Sequence, residues 1–326
     1  MKILTLALVL IAGLSSCKQT TKNLMPSVTG KAGEVIVIVN DPLWKGAMGD
    51  TLKSIFSEEQ IGLPQSEPVM DVFHISHEAL TSVFKTHRSI LDVRVSKNIT
   101  ENKLSVKTGL WAKGQALIIA EASSRQGMID LLHSNRSKIL AFFLSSEKKR
   151  LVKEMQKKPE KNIFNKLKKK KNFTLSCPSG YNINKDFGDF IWISKETPKT
   201  SQGMFVYTFD YTNEEAFSEK FLLNKRDSLL KAYVPGPSAG SYMRTERRYP
   251  VSFRQFSFKE NYAVETRGLW KVEKDFMGGP FLNICFLDKE ANRVICLDGY
   301  VYNPNKDKRD LLRELEAIMF TFEFVR

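Results

Sequence analysis

Cysteine and histidine are scarce in this chain, which contains four of each among 326 residues. The sequence has no H-E-x-x-H motif and no cysteine pair at the spacing of zinc ligands. Zinc sites need three or four converging ligands, so we predict no metal site and treat the histidines as isolated surface or core residues. No glycine-rich phosphate loop follows a predicted strand, and we expect no cofactor. The histidines are His74, His77, His87 and His133.

Long apolar runs are also missing, except for one at the start of the chain. Residues 3–13 are almost wholly apolar and follow Met1 and Lys2, which is the pattern of a secretory signal. This run is too short to cross a bilayer as a helix, and no later run is long enough either. We therefore predict that residues 1–16 are a signal peptide.

The predicted signal ends in Leu14-Ser15-Ser16-Cys17, which resembles the bacterial lipobox. The resemblance implies that a diacylglycerol is attached to the Cys17 thiol and that the chain is cut just before it. Lys18 rather than aspartate comes next, and no acidic run follows. We therefore expect a lipid-anchored protein on the periplasmic face of the outer membrane. The alternative is an ordinary signal peptide cleaved elsewhere, with Cys17 incidental.

Cleavage before Cys17 leaves 310 residues, enough for two ordinary domains. A hydrophobic content of 42% and a charged content of 26% are typical of a globular protein. The formal charge of +14 is unevenly spread, because residues 148–171 carry twelve Lys or Arg and two Glu, a net charge of +10. The basic character of the protein therefore belongs mainly to one segment.

This basic segment has two interpretations. It is either a solvated helix face or a contact for an anionic lipid or envelope polymer. Nucleic acid is disfavoured, because an exported protein rarely meets it and because few aromatic residues interrupt the run. The residues proposed for the anionic surface are Lys157, Lys158, Lys161, Lys166, Lys168, Lys169, Lys170 and Lys171.

The order of predicted elements indicates an α+β protein made of two tandem, related domains. In each half, the predicted elements follow the order strand, helix, antiparallel strands and helix. We therefore expect each domain to be an antiparallel sheet covered on one face by helices. The predicted boundaries are residues 17–33 for a lipidated tether, 34–147 for the first domain, 148–172 for a basic helical linker and 173–326 for the second domain.

The expected duplication depends on short motifs that occur in both halves. The most distinctive are Gly109-Leu110-Trp111 and Gly268-Leu269-Trp270. A repeated tryptophan is more often a core anchor than a ligand platform, because aromatic side chains dominate core energetics. We therefore expect Trp111 and Trp270 to be mostly buried at equivalent places in the two sheets.

Motifs typical of catalysis lack the context that their chemistry requires. Gly236-Pro237-Ser238-Ala239-Gly240 matches G-x-S-x-G, but a helix precedes it and a strand follows, the reverse of a nucleophile elbow. We predict an ordinary turn there. Ser82, Ser96 and Lys107 begin triplets or quartets like those of penicillin-binding proteins, but all three lie within too short a stretch of chain. We predict no catalytic residue.

Cys285 and Cys296 flank a predicted hairpin turn at residues 289–292. If Asp288 faces Arg293, three steps outward along each strand place the two cysteines opposite each other. Their Cα separation would then suit a disulfide, which the oxidising periplasm favours. Against the bond, the closed loop is short and both positions also suit a free cysteine used as a small hydrophobe. Cys177 would remain unpaired or compete.

The chain resembles a family of Gram-negative envelope lipoproteins that carry a domain of unknown function. The resemblance rests on residues 62–68, on both Gly-Leu-Trp motifs, on Gly278-Gly279-Pro280-Phe281 and on Arg309-Asp310-Leu311-Leu312. It implies no activity and no catalytic residues. We expect a non-enzymatic binding or envelope-assembly module whose partners are the membrane, an anionic lipid or polymer, and an unidentified protein. The alternative is an envelope hydrolase with a site that the sequence does not reveal.

The lipobox predicts that Cys17 is acylated. Metabolic labelling with an alkyne fatty acid should mark the wild-type protein and leave Cys17→Ala unmarked, as a soluble protein or an uncleaved precursor. Cys177→Ala is the matched control and should label like the wild type. An unlabelled wild-type protein would contradict the lipobox interpretation.

Overall fold

The computed structural model describes residues 25–325. The predicted signal peptide, Cys17 and the first part of the predicted tether lie outside the described residues. Within the described range, no helix combines the length and apolarity needed to cross a membrane. The chain folds as a mixed α+β protein with one main sheet in each half, so the predicted fold class is confirmed at that level.

The first half contains a five-stranded sheet in the order β2-β1-β3-β5-β4. Its strands are β1 (Glu34–Ile38), β2 (Asp71–Ile75), β3 (Ser89–Val95), β4 (Lys103–Thr108) and β5 (Ala116–Ala122). Neighbouring strands are parallel except for β4, which is antiparallel to β5. The predicted antiparallel sheet is therefore wrong for this half. The reason is visible in β1, whose continuous β-branched run is buried on both faces, as in the centre of parallel sheets.

Helices cover the first sheet unequally. They are α1 (Asp41–Trp44), α2 (Ala47–Phe56), α3 (Ser82–Lys85), α4 (Arg125–Ser134) and α5 (Arg136–Met155). Leu52 of α2, Met128 of α4 and Phe143 of α5 pack on one face. The other face is covered by a smaller cluster that includes Phe84 of α3 and Trp111.

The second half is built on an eight-stranded antiparallel sheet. Its strands run in the order β10-β12-β13-β14-β9-β8-β7, and β11 also pairs with β12. The bounds are β7 (Asn182–Asp186), β8 (Phe190–Glu196), β9 (Ser201–Asp210), β10 (Met243–Thr245), β11 (Ser252–Phe258), β12 (Asn261–Val272), β13 (Gly278–Asp288) and β14 (Arg293–Tyr302). A separate short pair joins β6 (Phe173–Thr174) to β15 (Glu323–Phe324).

Both faces of the second sheet are covered, whereas the sequence predicted one covered face. Helices α6 (Lys161–Lys171) and α8 (Arg309–Phe320) lie on one face, and α7 (Glu219–Tyr233) lies on the other after a 3-10 turn at Glu214–Phe217. The physical reason is that the central strands β13 and β14 are buried along almost their whole length. Such strands need an apolar layer on each side.

The predicted duplication is wrong. Gly109-Leu110-Trp111 follows β4 as a turn, in which Gly109 adopts φ 64°. Gly268-Leu269-Trp270 lies inside β12, where Gly268 pairs with Phe281 of the neighbouring strand. Trp270 is a buried core residue of its own half, but Trp111 is only partly buried. The three-letter match is therefore shared by two unlike structures.

The basic segment consists of the end of α5, a connection at residues 156–160 and the whole of α6. Ile163 and Leu167 of α6 are fully buried in the core of the second half. Their lysine neighbours point away from that core, because the apolar positions are four residues apart on one side of the helix. The segment is therefore helical, and α6 packs as an integral part of the second half.

A buried carboxylate on α8 joins the two halves. Glu316 Oε1 lies 2.7 Å from Lys148 Nζ of α5, and Glu316 Oε2 lies 3.1 Å from Arg267 Nη2 of β12. Burial alone raises the pKa of the Glu316 carboxyl, but the charges of Arg267 and Lys148 outweigh it and lower the pKa to about 2. A second contact lies at the start of α8, where Glu67 accepts hydrogen bonds from the backbone N–H groups of Lys308 and Arg309.

This contact predicts a loss of stability in acid. The folded-state pKa of Glu316 lies below the ordinary value of 4.5, so its contribution is present above pH 4.5 and is lost as the pH falls towards 2. The contribution is roughly 3 kcal/mol at neutral pH, from the size of the pKa shift. Urea unfolding should show that Glu316→Gln is less stable than the wild type at pH 7 and that the two converge towards pH 2.

The matched control for this experiment is Glu101→Gln, which changes an exposed carboxyl in a loop of the first half. That variant should follow the wild-type curve at every pH. A constant difference between wild type and Glu316→Gln from pH 7 to pH 2 would contradict the assignment.

Candidate functional site

A cluster of polar side chains lies where β1 and β3 end, at the carboxyl edge of the first sheet. The chain leaves β1 to form β2 on one side and returns to form β3 on the other, and ligands of open α/β sheets bind at such a switch point. Here His77 Nε2 lies 2.8 Å from Asp92 Oδ1, and His77 Nδ1 lies 2.9 Å from Asn40 Oδ1. Arg94 donates to the other oxygen of Asp92. The sequence analysis missed this pairing.

The His77 cluster is arranged as a closed network. A histidine held by a buried carboxylate is half of a general-base arrangement. Both ring nitrogens are occupied here, and within the described chain no hydrogen bond joins the ring to a serine, threonine or cysteine. His77 is one-third exposed, whereas Asp92 is buried. The cluster can orient an imidazole, but the described residues do not supply a nucleophile beside it.

Two of the other described histidines, His74 and His87, also have partners. His74 contacts the carbonyl oxygen of Val39 and stacks on Trp44, and His87 lies 2.9 Å from Glu34. His133 is exposed near the end of α4. Within residues 25–325, no three His, Cys, Asp or Glu side chains are grouped so that they could hold a metal ion.

The second half contains an apolar cavity of about 450 Å³, which we call the aromatic groove. Its volume is in the range of small-molecule sites. It lies beside the edge of the large sheet, under the loop that follows α7 and the turn between β12 and β13. The residues that define it are Trp192, Met243, Trp270, Met277, Tyr300 and Tyr302.

Close backbone packing shapes the wall of the groove. Gly203 of β9 lies beneath the ring of Tyr300, and a Cβ at this position would come within 2.6 Å of the ring. Gly279 approaches the carbonyl oxygen of Val301 so closely that no side chain fits between the strands. Glycine at these two positions therefore allows the aromatic rings to lie flat on the sheet.

The polar groups of the aromatic groove are paired with one another. Trp192 Nε1 donates to the Tyr300 hydroxyl at 3.0 Å, and Trp270 Nε1 donates to the carbonyl oxygen of Val301 at 3.3 Å. Ser201 donates to Glu196 at 2.8 Å. Burial raises the pKa of the Tyr300 hydroxyl, so this group stays neutral. The arrangement presents apolar rings and no acid–base pair to a ligand.

A second cavity of about 710 Å³ adjoins the aromatic groove across the turn between β12 and β13. The two cavities share Trp270, Val272 and Met277. Phe276 at the tip of the turn is fully exposed, and Tyr249 on the far wall is half exposed. Residues 276–279 thus line this cavity, and β13 begins among them at Gly278.

A buried ion pair lies on the α7 side of the second sheet. Arg226 and Asp298 are both fully buried and are joined by two hydrogen bonds, the shorter of 2.6 Å. Asn283 donates to the same carboxylate, and Thr245 accepts from the guanidinium. Because this network is enclosed and internally satisfied, it stabilises the core and offers no access to a ligand.

The eight lysines proposed for the anionic surface fall into two groups. Lys166 and Lys170 contact Asp186, and Lys171 contacts Asp189. The other five form no ion pair within the described part of the chain and are exposed: Lys157, Lys158, Lys161, Lys168 and Lys169.

The cysteines of the long hairpin lie in the predicted register. Asp288 pairs with Arg293, and Cys285 pairs with Cys296. The Cα atoms of the two cysteines are 4.1 Å apart, and their Sγ atoms are joined. Cys177 is free and buried, and burial raises the pKa of its thiol to about 12. Cys177 is therefore a poor nucleophile.

The catalysis-like motifs are placed on ordinary elements. Gly236-Pro237-Ser238-Ala239-Gly240 is a turn between α7 and β10, as predicted, in which Ser241 Oγ donates to the Ser238 carbonyl. Ser82 begins α3, Ser96 follows β3, and Lys107 lies on β4. Gly236 and Pro237 of the turn line the aromatic groove through ordinary turn residues, whereas Ser82, Ser96 and Lys107 do not line it.

Two family models match the chain. Residues 160–321 match a domain of unknown function (DUF4837), and residues 28–156 match a different domain of unknown function (DUF8532). The protein is thus of a two-domain class whose parts have no assigned function, and the expected resemblance to a domain of unknown function is confirmed at that level. That the two models differ agrees with the unlike folds of the two halves.

The remaining comparisons add little. No curated protein matches the sequence. A crystal structure from Bacteroides thetaiotaomicron VPI-5482, determined at 1.50 Å resolution, is similar over 48% of this chain and 46% of that chain. The sequences are 11% identical there, and the TM-score is 0.21. The similarity therefore spans less than half of either protein.

Proposed function

We propose that the protein is an outer-membrane-anchored periplasmic lipoprotein that binds a small amphiphile in the aromatic groove and performs no catalysis. The lipobox at Cys17 supports the location. The observation that carries the binding role is the groove itself, whose aromatic and thioether side chains line a cavity while the indole N–H groups of Trp192 and Trp270 already have acceptors in the protein. Burial of apolar ligand surface is then the main source of affinity.

An amphiphile fits this groove better than a wholly apolar or wholly polar ligand. The wall is made of indole, phenol and thioether groups, which favour an alkyl or aryl portion. Asn184, Glu196 and Ser201 also line the cavity and provide hydrogen-bonding groups for a polar end. Such a ligand buries its apolar portion and leaves its head group near water.

A hydrolase is the second candidate, and the His77–Asp92 pair is the observation that favours it. The pair lies at the edge of the first sheet where α/β enzymes bind substrates. Asn40 occupies the remaining ring nitrogen, so this candidate ranks below binding in the aromatic groove.

The aromatic groove predicts binding of a neutral apolar fluorophore. The unlipidated Cys17→Ala chain should enhance the fluorescence of N-phenyl-1-naphthylamine at a saturable site. Met277→Asp places a charge on the wall of the groove and Tyr302→Ala removes an aromatic contact, so each should weaken binding by about ten-fold, equivalent to ~1.4 kcal/mol. Titration by fluorescence measures the dissociation constants, and circular dichroism verifies that each variant is folded.

Phe73→Ala is the control for this titration, because Phe73 is an exposed aromatic residue of the first half. It should bind the fluorophore like the parent chain. Unchanged affinity in both groove variants would show that the fluorophore binds elsewhere and would remove the support for this site.

The basic segment supports a second part of the proposal, contact with an anionic surface. Lys168 and Lys169 lie near the end of α6, exposed and without ion pairs within residues 25–325. Each basic residue close to an anionic membrane contributes about 1 kcal/mol, and the lipid anchor would keep the segment nearby. An anionic lipid or polymer is therefore the proposed partner of this face.

Charge reversal at Lys168 and Lys169 should test this contact. The doubly substituted Lys168→Glu, Lys169→Glu chain should bind phosphatidylglycerol-containing vesicles roughly 30-fold more weakly than the parent, since ~2 kcal/mol of attraction is removed. Lys103→Glu, Lys107→Glu makes the same charge change on the exposed strand β4 and is the control. If the protein sedimented equally with anionic and neutral vesicles at every salt concentration, the proposal would be contradicted and the segment would be a solvated helix face.

A further inference from the structure

A cavity of about 180 Å³ lies between the two halves, beside the Glu316 contact. Helix α5 of the first half, strands β11 and β12, and helix α8 of the second half all contribute to its wall, and Gln60 closes it from the first half. Its charged lining residues are Glu147, Lys148, Arg254, Arg267, Arg313 and Glu316. The cavity is large enough for a small polyatomic ion and too small for a nucleotide.

Positive charge is in excess around this cavity. Its lining contains four cationic and two anionic side chains. The wider network adds Arg88 and Arg150, which pair with Glu147, and Glu265, which pairs with Arg254 and Arg267. The lining residues and their ion-pair partners therefore comprise six cations and three carboxylates, a net charge of +3. Buried charges are costly unless they are paired, so this excess favours a bound anion.

One cation of the lining has an unused donor. Arg313 Nη2 donates to Gln60 Oε1 at 2.9 Å and to the Val69 carbonyl at 2.6 Å. Arg313 Nη1 is buried and has no hydrogen-bond partner among the protein atoms. Burial, followed by the charge of Arg309, lowers the pKa of Arg313 to about 10 against the raising effect of the Asp310, Glu316 and Glu147 carboxylates.

We infer that this interdomain cavity binds a small, multiply charged oxyanion of phosphate size. The guanidinium groups of Arg313 and Arg254 and the ammonium of Lys148 line the cavity and supply positive charge at its wall. Guanidinium groups bind phosphate and related oxyanions through charge-assisted hydrogen bonds. The anion would contact residues of both halves, so its binding would also hold the halves together. This site is separate from the aromatic groove and does not depend on the function proposed for it.

The experiment is a thermal unfolding series with inorganic phosphate. At 10 mM phosphate the unlipidated Cys17→Ala chain should unfold about 3 °C higher than in sodium chloride of equal ionic strength, as expected for a millimolar site. Sulfate should act similarly, and acetate should act less because it carries one charge. Calorimetric titration with phosphate provides the dissociation constant independently of stability.

Two variants make the result specific. Arg254→Gln removes a charge that is more than half exposed and should weaken phosphate binding at least five-fold without unfolding the protein. Arg313→Met should abolish the phosphate response, while its stability without phosphate falls little because an uncompensated buried charge is removed with the lost hydrogen bonds. Arg244→Gln changes a similar arginine on β10, outside the cavity, and should bind phosphate normally.

Several outcomes would overturn the inference. A phosphate effect equal to that of sodium chloride would show only ionic screening. An unchanged dissociation constant in Arg254→Gln and Arg313→Met would place the anion elsewhere. A heat of binding that is lost equally in Arg244→Gln would also exclude this cavity, because that side chain does not line it.

Discussion

The structure depends on a contact between helices α5 and α8, at which Glu316 is held between Lys148 and Arg267. This contact is sensitive to substitution, because removing one partner of a buried ion pair leaves the other charge buried without compensation. Glu67 reinforces the contact by accepting the first N–H groups of α8 from the opposite half. The start of helix α8 in the second half is therefore held by a side chain of the first half.

This arrangement separates the binding surface from the junction. The aromatic groove is lined only by residues between Asn184 and Tyr302, all in the second half, while Leu63 and Pro64 of the first half reach the adjoining cavity. The first half thus approaches the cavity beside the aromatic groove from one side. The enclosed Arg226–Asp298 pair holds α7 against the sheet, so the loop that follows α7 keeps its position over the groove.

Local patterns were predicted well from the sequence, and long-range pairings were not. The β13–β14 hairpin has the predicted register because a four-residue turn determines which residues face each other. The continuous apolar run of β1 is typical of a buried strand, but its parallel partners β2 and β3 are separated from it by helices, and no local signal specifies that order. Trp192 and Tyr302 were missed because aromatic residues in strands usually fill cores.

The Gly-Leu-Trp motifs show why a short match misleads. Gly109 adopts a positive φ, whereas Gly268 lies so close to Phe281 that a side chain would crowd its ring. Glycine therefore meets a different structural requirement in each motif. Trp270 has a buried ring whose N–H is satisfied by Val301, yet one side of the ring borders the aromatic groove. A core anchor and a ligand wall are therefore the same side chain here. A ligand in the groove would rest on a residue that folding has already fixed, which reduces the entropy lost on binding.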